Sequence, residues 1–435
     1  MARGWDIGGW ALGDLLGTLF ERRRAGDITA SGKPLIPLCQ VMLSGQGEVS
    51  GMKRAAEVLM RYRFASLEEK AAFFRFLADE MDLDPAAVIS AAQAYADNAD
   101  AGTMATLLDV SEPPRQELLR RLNQAPGGTA DLVAMRVDLI EAIKAQPDLA
   151  RVDLDFRHLF ASWFNRGFLV LRRIGWESPA NILEKIIAYE AVHEIHSWAD
   201  LRRRLEPPDR RCFAFFHPAM PDDPLIFVEV ALTQGIPGAI GPLLAEDRPA
   251  LTLSEVNTAV FYSISNCQAG LRGISFGNSL IKQVVDVLER EAPGLKTFAT
   301  LSPIPGLCRW IHTQQDGSQP LLDTASTIPD AEALRRAAAR YLLQAKAADG
   351  QPLDPVARFH LGNGAELHEI HAAADLSQKG RKQSCGAMVN YLYDPAKVEQ
   401  NHEAFASKKT VAAARGVKAL AAAAKDQDVK GRKDP

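Results

Sequence analysis

The chain has no long apolar run and no excess of charge of either sign. No uninterrupted apolar segment approaches the roughly 20 residues that a membrane-spanning helix needs. The 50 basic residues are offset by 54 acidic ones, for a net charge of -4. A chain with this balance has no overall field that attracts nucleic acid. We therefore expect neither a membrane nor a nucleic-acid partner.

Cysteine is scarce and shows no motif. The five cysteines are odd in number and none belongs to a CxxC pair; they are Cys39, Cys212, Cys267, Cys308 and Cys385. This pattern predicts neither a zinc site nor a disulfide framework, and it favours a reducing compartment. The N-terminus lacks a charged segment followed by an apolar core, and the C-terminus carries no lipidation or peroxisomal signal. We expect a cytoplasmic protein.

The chain itself is long enough for two or three domains, with 435 residues of which 47% are hydrophobic. Residues 1–170 show helical patterns, among them a capping box at Ser66–Glu69 and a proline, Pro85, that opens a helix. After Pro179, short β-branched or aromatic runs alternate with helical ones. The strand-like runs are Cys212–Phe216, Leu225–Leu232 and Ala259–Ser265, and the helical ones are Asn278–Glu291 and Ala331–Ala345.

The fold class that these patterns predict is α+β. An all-α helical bundle (residues 1–170), used for packing or oligomerisation, precedes an α/β domain (residues 171–435). An alanine-rich helix is expected over Ala404–Lys425, followed by a disordered charged tail from Asp426.

A glycine-bearing turn lies within Phe261–Val285, between a predicted strand and an amphipathic helix. The N-terminus of a helix offers unpaired N–H groups and a partial positive charge, which favour phosphate. The pattern R-x-x-S-x-G resembles the pyrophosphate-binding loop of GNAT acyltransferases, with Ser275 in place of the usual first glycine. A plain strand-to-helix turn is the alternative. The predicted coenzyme-binding residues are Arg272, Gly273, Ile274, Ser275, Phe276, Gly277 and Asn278.

Two further segments carry a lone serine and a lone histidine. Ser302 precedes Pro303, which forces extended geometry and predicts a serine at the end of a strand. His360 is followed by Gly362 and Gly364, which predicts an exposed loop that presents an imidazole for proton transfer. An ordinary turn serine and a structural histidine remain the alternatives.

Two HExH patterns, His193–His196 and His368–His371, have one residue too few between the histidines for a zinc-binding helix. We therefore predict no metal site. Asp222, Asp223 and Glu229 flank a predicted strand and are interpreted as solvated surface acids.

Taken in order, long segments resemble the malonyl-CoA decarboxylase family across most of the chain. They are Trp163–Trp176, Ile182–Leu205, His217–Leu232, Phe261–Val285, Thr300–Gly306, Phe359–Ala365 and Gln383–Asp394. The resemblance implies a helical N-terminal domain, a GNAT-like catalytic domain and a homo-oligomer, either dimer or tetramer. It also implies Ser302 and His360 as catalytic residues, Tyr393 as a third, and an acyl-CoA substrate. At Glu369–Ala372 the chain departs from the arginine–x–asparagine–tryptophan stretch of other members, which leaves contacts at those positions open.

The mechanism that the resemblance implies is decarboxylation of malonyl-CoA to acetyl-CoA and CO2. Ser302 would hold the malonyl carboxylate, and a protonated His360 would give a proton to the resulting enolate. No cofactor is expected, because the thioester itself accepts the electron pair. The alternatives are a GNAT-type N-acyltransferase that passes an acyl group to an amine, and an acyl-CoA sensor without catalytic activity.

Overall fold

The structure, a computed structural model, describes residues 34–44, 48–274, 280–313 and 330–430. These residues form two compact units. The first reaches Ser162 and includes Ala269–Gly273, and the second contains Trp163–Gln268 and the chain from Ile274 onward. Within the described ranges, no helix combines the length and apolar character that spanning a membrane requires.

The first unit is helical, as predicted. Its helices are α1 (Leu35–Ser44), α2 (Glu48–Arg63), α3 (Leu67–Asp79), α4 (Pro85–Asp97), α5 (Ala101–Val110), α6 (Pro114–Asn123), α7 (Gly128–Ala145) and α8 (Ala150–Trp163), whose last residue already belongs to the second unit. Helix α3 begins at the predicted capping box, in which Ser66 and Glu69 each bond the other's backbone N–H. Its Phe73, Phe74 and Leu77 share one face and are buried, so this face forms core.

The second unit is built on one mixed sheet of eight strands. The strands are β1 (Val170–Ile174), β2 (Arg210–Phe216), β3 (Ile226–Thr233), β4 (Thr258–Asn266), β5 (Thr297–Thr300), β6 (Ser302–Pro303), β7 (Glu366–His371) and β8 (Met388–Leu392). Their order is β1-β2-β3-β4-β5-β8-β6, and β7 also pairs with β8. Only β4 and β5 pair in parallel among these strands. The α+β class is confirmed.

Helices accompany this sheet, and their boundaries bear on two predictions. They are α9 (Ala180–Tyr189), α10 (Trp198–Leu205), α11 (Gly241–Leu244), α12 (Leu280–Glu291), α13 (Leu307–Thr313), α14 (Ala331–Gln344), α15 (Pro355–Gly362), α16 (Gln378–Ser384), α17 (Val398–Lys408) and α18 (Arg415–Lys430). The single helix predicted over Ala404–Lys425 is wrong, because Lys409 adopts a left-handed conformation that ends α17. Helix α18 continues to Lys430, five residues into the tail predicted from Asp426, and the rest of that tail lies outside the described residues.

Two polar features of the second unit also differ from prediction. Glu229 is fully buried on β3, not solvated, and pairs with Arg204 at 3.2 Å. Cys308 and Cys385, 77 residues apart in sequence, form a disulfide with Cα atoms 5.6 Å apart. Their spacing in sequence gives no sign of this proximity, because only the sheet brings α13 and α16 together. The cysteine pattern therefore does not identify the redox compartment.

Candidate active site

Ser302 lies where the sequence placed it, in the strand segment that follows β5. Its backbone pairs with Val389 of β8, and Pro303 holds the chain extended after it. Its hydroxyl is buried and donates to the Thr300 hydroxyl at 2.9 Å. Thr300 and Ser302 are two residues apart, the spacing that places side chains on one face of a strand.

His360 does not lie in an exposed loop, and that prediction is wrong. It lies in the last turn of α15 and is buried. Asp354 caps this helix by accepting the Ala357 N–H, and Pro355 occupies its first position. The glycines after His360 lie at and beyond the helix end, so the helix, not a loop, fixes the direction of the imidazole.

The imidazole of His360 makes a hydrogen bond through each ring nitrogen and a stacking contact on one face. Its Nε2 lies 3.1 Å from Ser302 Oγ, and its Nδ1 lies 2.8 Å from the Tyr393 hydroxyl. The ring of Tyr391 stacks on it with centroids 4.4 Å apart. The structure therefore brings together all three predicted catalytic residues, Ser302, His360 and Tyr393.

The hydrogen-bond directions define one tautomer of His360. Because Ser302 donates its hydrogen to Thr300, Ser302 Oγ can only accept from His360. This arrangement favours the tautomer with the hydrogen on Nε2, in which Nδ1 accepts from the Tyr393 hydroxyl. The result is a chain of donors that runs from Tyr393 through the imidazole and Ser302 to Thr300.

Burial lowers the pKa of His360 to about 3. Burial therefore favours the neutral imidazole near pH 7 in the substrate-free protein, whereas a protonated His360 in the substrate complex stays a prediction. A neutral imidazole still donates through Nε2–H, so the group keeps a hydrogen directed into the site.

Three residues of this site were missed from the sequence: Thr300, Tyr391 and Asp354. Strand alternation was the available signal for Thr300, two residues before Ser302. The Asp354–Pro355 pair, which begins six residues before His360, is a sequence signal for the start of a helix. No sequence pattern signals the stack of Tyr391 on His360, because the stack depends on how α15 packs against β8.

A cleft of about 640 Å³ in the second unit reaches this network at Tyr393. Side chains of α12 and α17 line it, including Lys282 and Glu399, whose charged atoms lie 3.4 Å apart. Asn363 also lines the cleft; its amide nitrogen donates to the Phe359 carbonyl at 2.7 Å. Its Oδ1 is buried and has no partner within the described ranges. The cleft thus brings a cation, Lys282, into the same cavity as Tyr393.

The predicted coenzyme-binding turn is described only in part. Arg272 and Gly273 are exposed and follow a short helix, and Gly273 adopts a left-handed φ of 79°. Ile274 is half-buried. Ser275, Phe276, Gly277 and Asn278 lie outside the described residues. Phosphate binding by this turn stays a prediction.

The remaining reactive side chains have structural surroundings. Among the described residues, no group of three or more His, Cys, Asp or Glu is arranged to hold a metal. His371 bonds the Asn390 amide oxygen through Nε2, and His193 is buried. Burial raises the pKa of the Cys267 thiol, which therefore remains protonated and is a poor nucleophile.

Comparison with known proteins agrees with the resemblance. Residues 167–431 match the malonyl-CoA decarboxylase C-terminal domain, and residues 82–164 match the N-terminal domain of the same family. The chain is 35% identical over 348 residues to mitochondrial malonyl-CoA decarboxylase of Anser anser anser, which covers 70% of this chain and 69% of that protein.

Two solved structures are also similar. The malonyl-CoA decarboxylase of Rhodopseudomonas palustris is 52% identical with a TM-score of 0.83, covering 88% of this chain and 98% of that one. The enzyme of the same description from Agrobacterium vitis is 51% identical with a TM-score of 0.83, covering 89% of this chain and 99% of that one. The chain therefore belongs to the malonyl-CoA decarboxylase family, a family of carboxy-lyases.

Proposed function

We propose that this chain converts malonyl-CoA to acetyl-CoA and CO2, with Ser302, His360 and Tyr393 as its catalytic residues. The observation that carries the proposal is the buried imidazole of His360, bonded by Ser302 on one side and Tyr393 on the other. Family membership supports the reaction class, and the geometry supports the roles of the residues.

Ser302 binds the malonyl carboxylate. Its hydroxyl turns from Thr300 to donate to one carboxylate oxygen, which fixes the direction of the bond between C2 and the carboxyl carbon. That bond breaks, CO2 leaves, and the electron pair moves into the thioester to form an enolate. Because the thioester is the electron acceptor, we propose that the step needs neither a metal nor an organic cofactor.

His360 returns a proton to C2 of the enolate. Its Nε2–H is the donor, and as that hydrogen leaves, Nδ1 takes the hydrogen of Tyr393 at 2.8 Å. Nδ1 then returns that hydrogen to the Tyr393 phenolate, and Nε2 takes a replacement proton from water that enters through the cleft lined by Tyr393. One proton is thus consumed for each CO2 released, and the imidazole ends the cycle neutral.

The cleft is the proposed path for the coenzyme portion of an acyl-CoA substrate. Lys282 is positioned to attract a phosphate in place of Glu399. The predicted phosphate turn, Arg272–Asn278, belongs to the same proposal.

A GNAT-type N-acyltransferase and an acyl-CoA sensor are the competing functions. An acyltransferase requires an amine acceptor and forms no CO2. A sensor binds the substrate and leaves it intact. Neither accounts for a buried imidazole bonded at once to a serine and a tyrosine hydroxyl.

The test is incubation with malonyl-CoA labelled at its free carboxyl, without an amine, while CO2 and acetyl-CoA are both measured. Equal amounts of the two products are expected. His360→Ala should lower kcat by about two to four orders of magnitude. His158→Ala, which removes an exposed imidazole of the first unit, should leave it unchanged. Bound but intact substrate would refute the proposal.

We also propose that the chain forms a homo-oligomer through its helical unit. Helix α5 buries none of its residues, and Met104 and Leu108 are exposed on it, as is Ile89 on α4. Covering these side chains with a second copy would remove apolar surface from water. Sedimentation of the wild type beside Leu108→Lys tests this, and an unchanged mass would contradict it. A cytoplasmic location without a nucleic-acid partner remains a prediction.

A further inference from the structure

We propose that Thr300 is a positioning residue that selects the reactive tautomer of His360 through Ser302. This inference rests on the proposed function, because the tautomer of His360 affects the reaction only if Nε2 delivers the proton. Nothing in the sequence patterns or in the family comparison assigns Thr300 a role.

The Thr300 hydroxyl is fixed from several directions. The residue is fully buried, and its Oγ1 accepts from the Tyr391 backbone N–H at 3.2 Å. The Thr300 carbonyl accepts from the Asn390 side chain at 2.8 Å. Both neighbours belong to β8, which pairs with the segments on either side of Thr300. Oγ1 is therefore an acceptor held in place by the sheet.

This fixed acceptor determines where the hydrogen of Ser302 points. With Oγ1 present, Ser302 donates to Thr300 at 2.9 Å and accepts from His360 Nε2–H at 3.1 Å. Without Oγ1, the hydrogen of Ser302 has one remaining buried acceptor in this network, His360 Nε2. The imidazole would then carry its hydrogen on Nδ1, and Nε2 would have none to give to C2.

Substrate binding releases Ser302 from its bond to Thr300. When the Ser302 hydroxyl turns to donate to the malonyl carboxylate, Ser302 Oγ continues to accept from His360 Nε2–H, and no proton changes its heavy atom. Thr300 thus sets the tautomer of His360 before the substrate binds.

The first readout is the ¹⁵N NMR spectrum of the substrate-free protein, with the His360 signals assigned by their loss in His360→Ala. The wild type should show protonated Nε2 and unprotonated Nδ1. In Thr300→Val, which keeps the shape and removes Oγ1, the hydrogen should move to Nδ1. Thr300→Ser should retain the wild-type pattern, as should Thr297→Val on the same strand.

The second readout is steady-state decarboxylation. Thr300→Val should lower kcat about tenfold with little change in KM, the effect of one lost hydrogen bond. Thr300→Ser should restore most of the activity, and Thr297→Val should be normal. If Thr300→Val does not fold, Thr300→Ala supplies both readouts.

Each result bears on one proposal. A wild-type ¹⁵N pattern in Thr300→Val overturns the role of Thr300, and so does an equal loss of kcat in Thr300→Val and Thr300→Ser. If the wild type releases no CO2, the proposed function fails, whereas the tautomer of Thr300→Val still tests the hydrogen-bond argument.

Discussion

Removing the Tyr393 hydroxyl should slow decarboxylation without preventing folding. In Tyr393→Phe the ring is kept, and the hydrogen bond that the hydroxyl makes to His360 Nδ1 at 2.8 Å is lost. Nδ1 is then a buried acceptor without a donor. It has no hydrogen to take up when the Nε2 hydrogen is transferred to C2. The same strand offers a matched control: Tyr391→Phe removes a buried hydroxyl that has no partner within the described ranges.

The magnitude follows from the unpaired acceptor. Leaving a buried polar group unsatisfied costs about 1–3 kcal/mol. If about 2 kcal/mol of this appears in the transition state, kcat falls about 30-fold. Tyr391→Phe keeps the ring that stacks on His360 and breaks no hydrogen bond shown in the structure. Its kcat should therefore stay within about threefold of the wild type.

Release of labelled CO2 under saturating malonyl-CoA measures kcat, and urea unfolding of each variant reports stability. The relay is refuted if Tyr393→Phe and Tyr391→Phe have equal kcat. It is also refuted if Tyr393→Phe raises KM alone, because the hydroxyl would then serve substrate binding and not proton transfer.

Three further predictions concern pH and cofactors. Because burial raises the pKa of Glu229 to about 8, the folded chain holds a proton that the unfolded chain releases near 4.5. Stability should fall as pH rises between these values, and Glu229→Gln should flatten that slope in urea titrations at several pH values. Since the pKa of His360 is about 3, its titration should cause no change of kcat/KM near pH 6.5. A fall of kcat/KM below pH 6.5 that is absent in His360→Gln would contradict a neutral imidazole. Dialysis against a chelator should leave decarboxylation unchanged, and loss of activity restored by one divalent metal would oppose a cofactor-free reaction.

The sequence predicted the elements whose signals are local. The runs that became β2, β3 and β4 are rich in β-branched and aromatic residues, and nearly every position in them is buried. The capping box at Ser66 and the proline at Pro85 each predicted the start of a helix within a residue of the observed one. Such signals depend on neighbours in the chain, so they can be read without tertiary contacts.

Predictions failed where a distant partner decides the environment. The sequence around Glu229 is typical of a solvated acid, because it does not show that Arg204 of α10 pairs with Glu229. The glycines after His360 suggested a loop, although the capping signal that places His360 in a helix starts at Asp354. Resemblance supplied Ser302, His360 and Tyr393, but only the fold shows that their hydrogen bonds form one chain.

In the proposed mechanism, a neutral, buried His360 suits the reaction better than the charged group expected from the sequence. As CO2 leaves, negative charge moves from the malonyl carboxylate to the thioester oxygen. An imidazolium beside the carboxylate would stabilise the ground state, and only interactions that are stronger in the transition state accelerate the step. A neutral imidazole avoids that ion pair and still holds Nε2–H ready for C2. The low pKa and the bonds to Ser302 and Tyr393 therefore act together, since burial removes the charge and the two hydroxyls keep the transferable hydrogen in place.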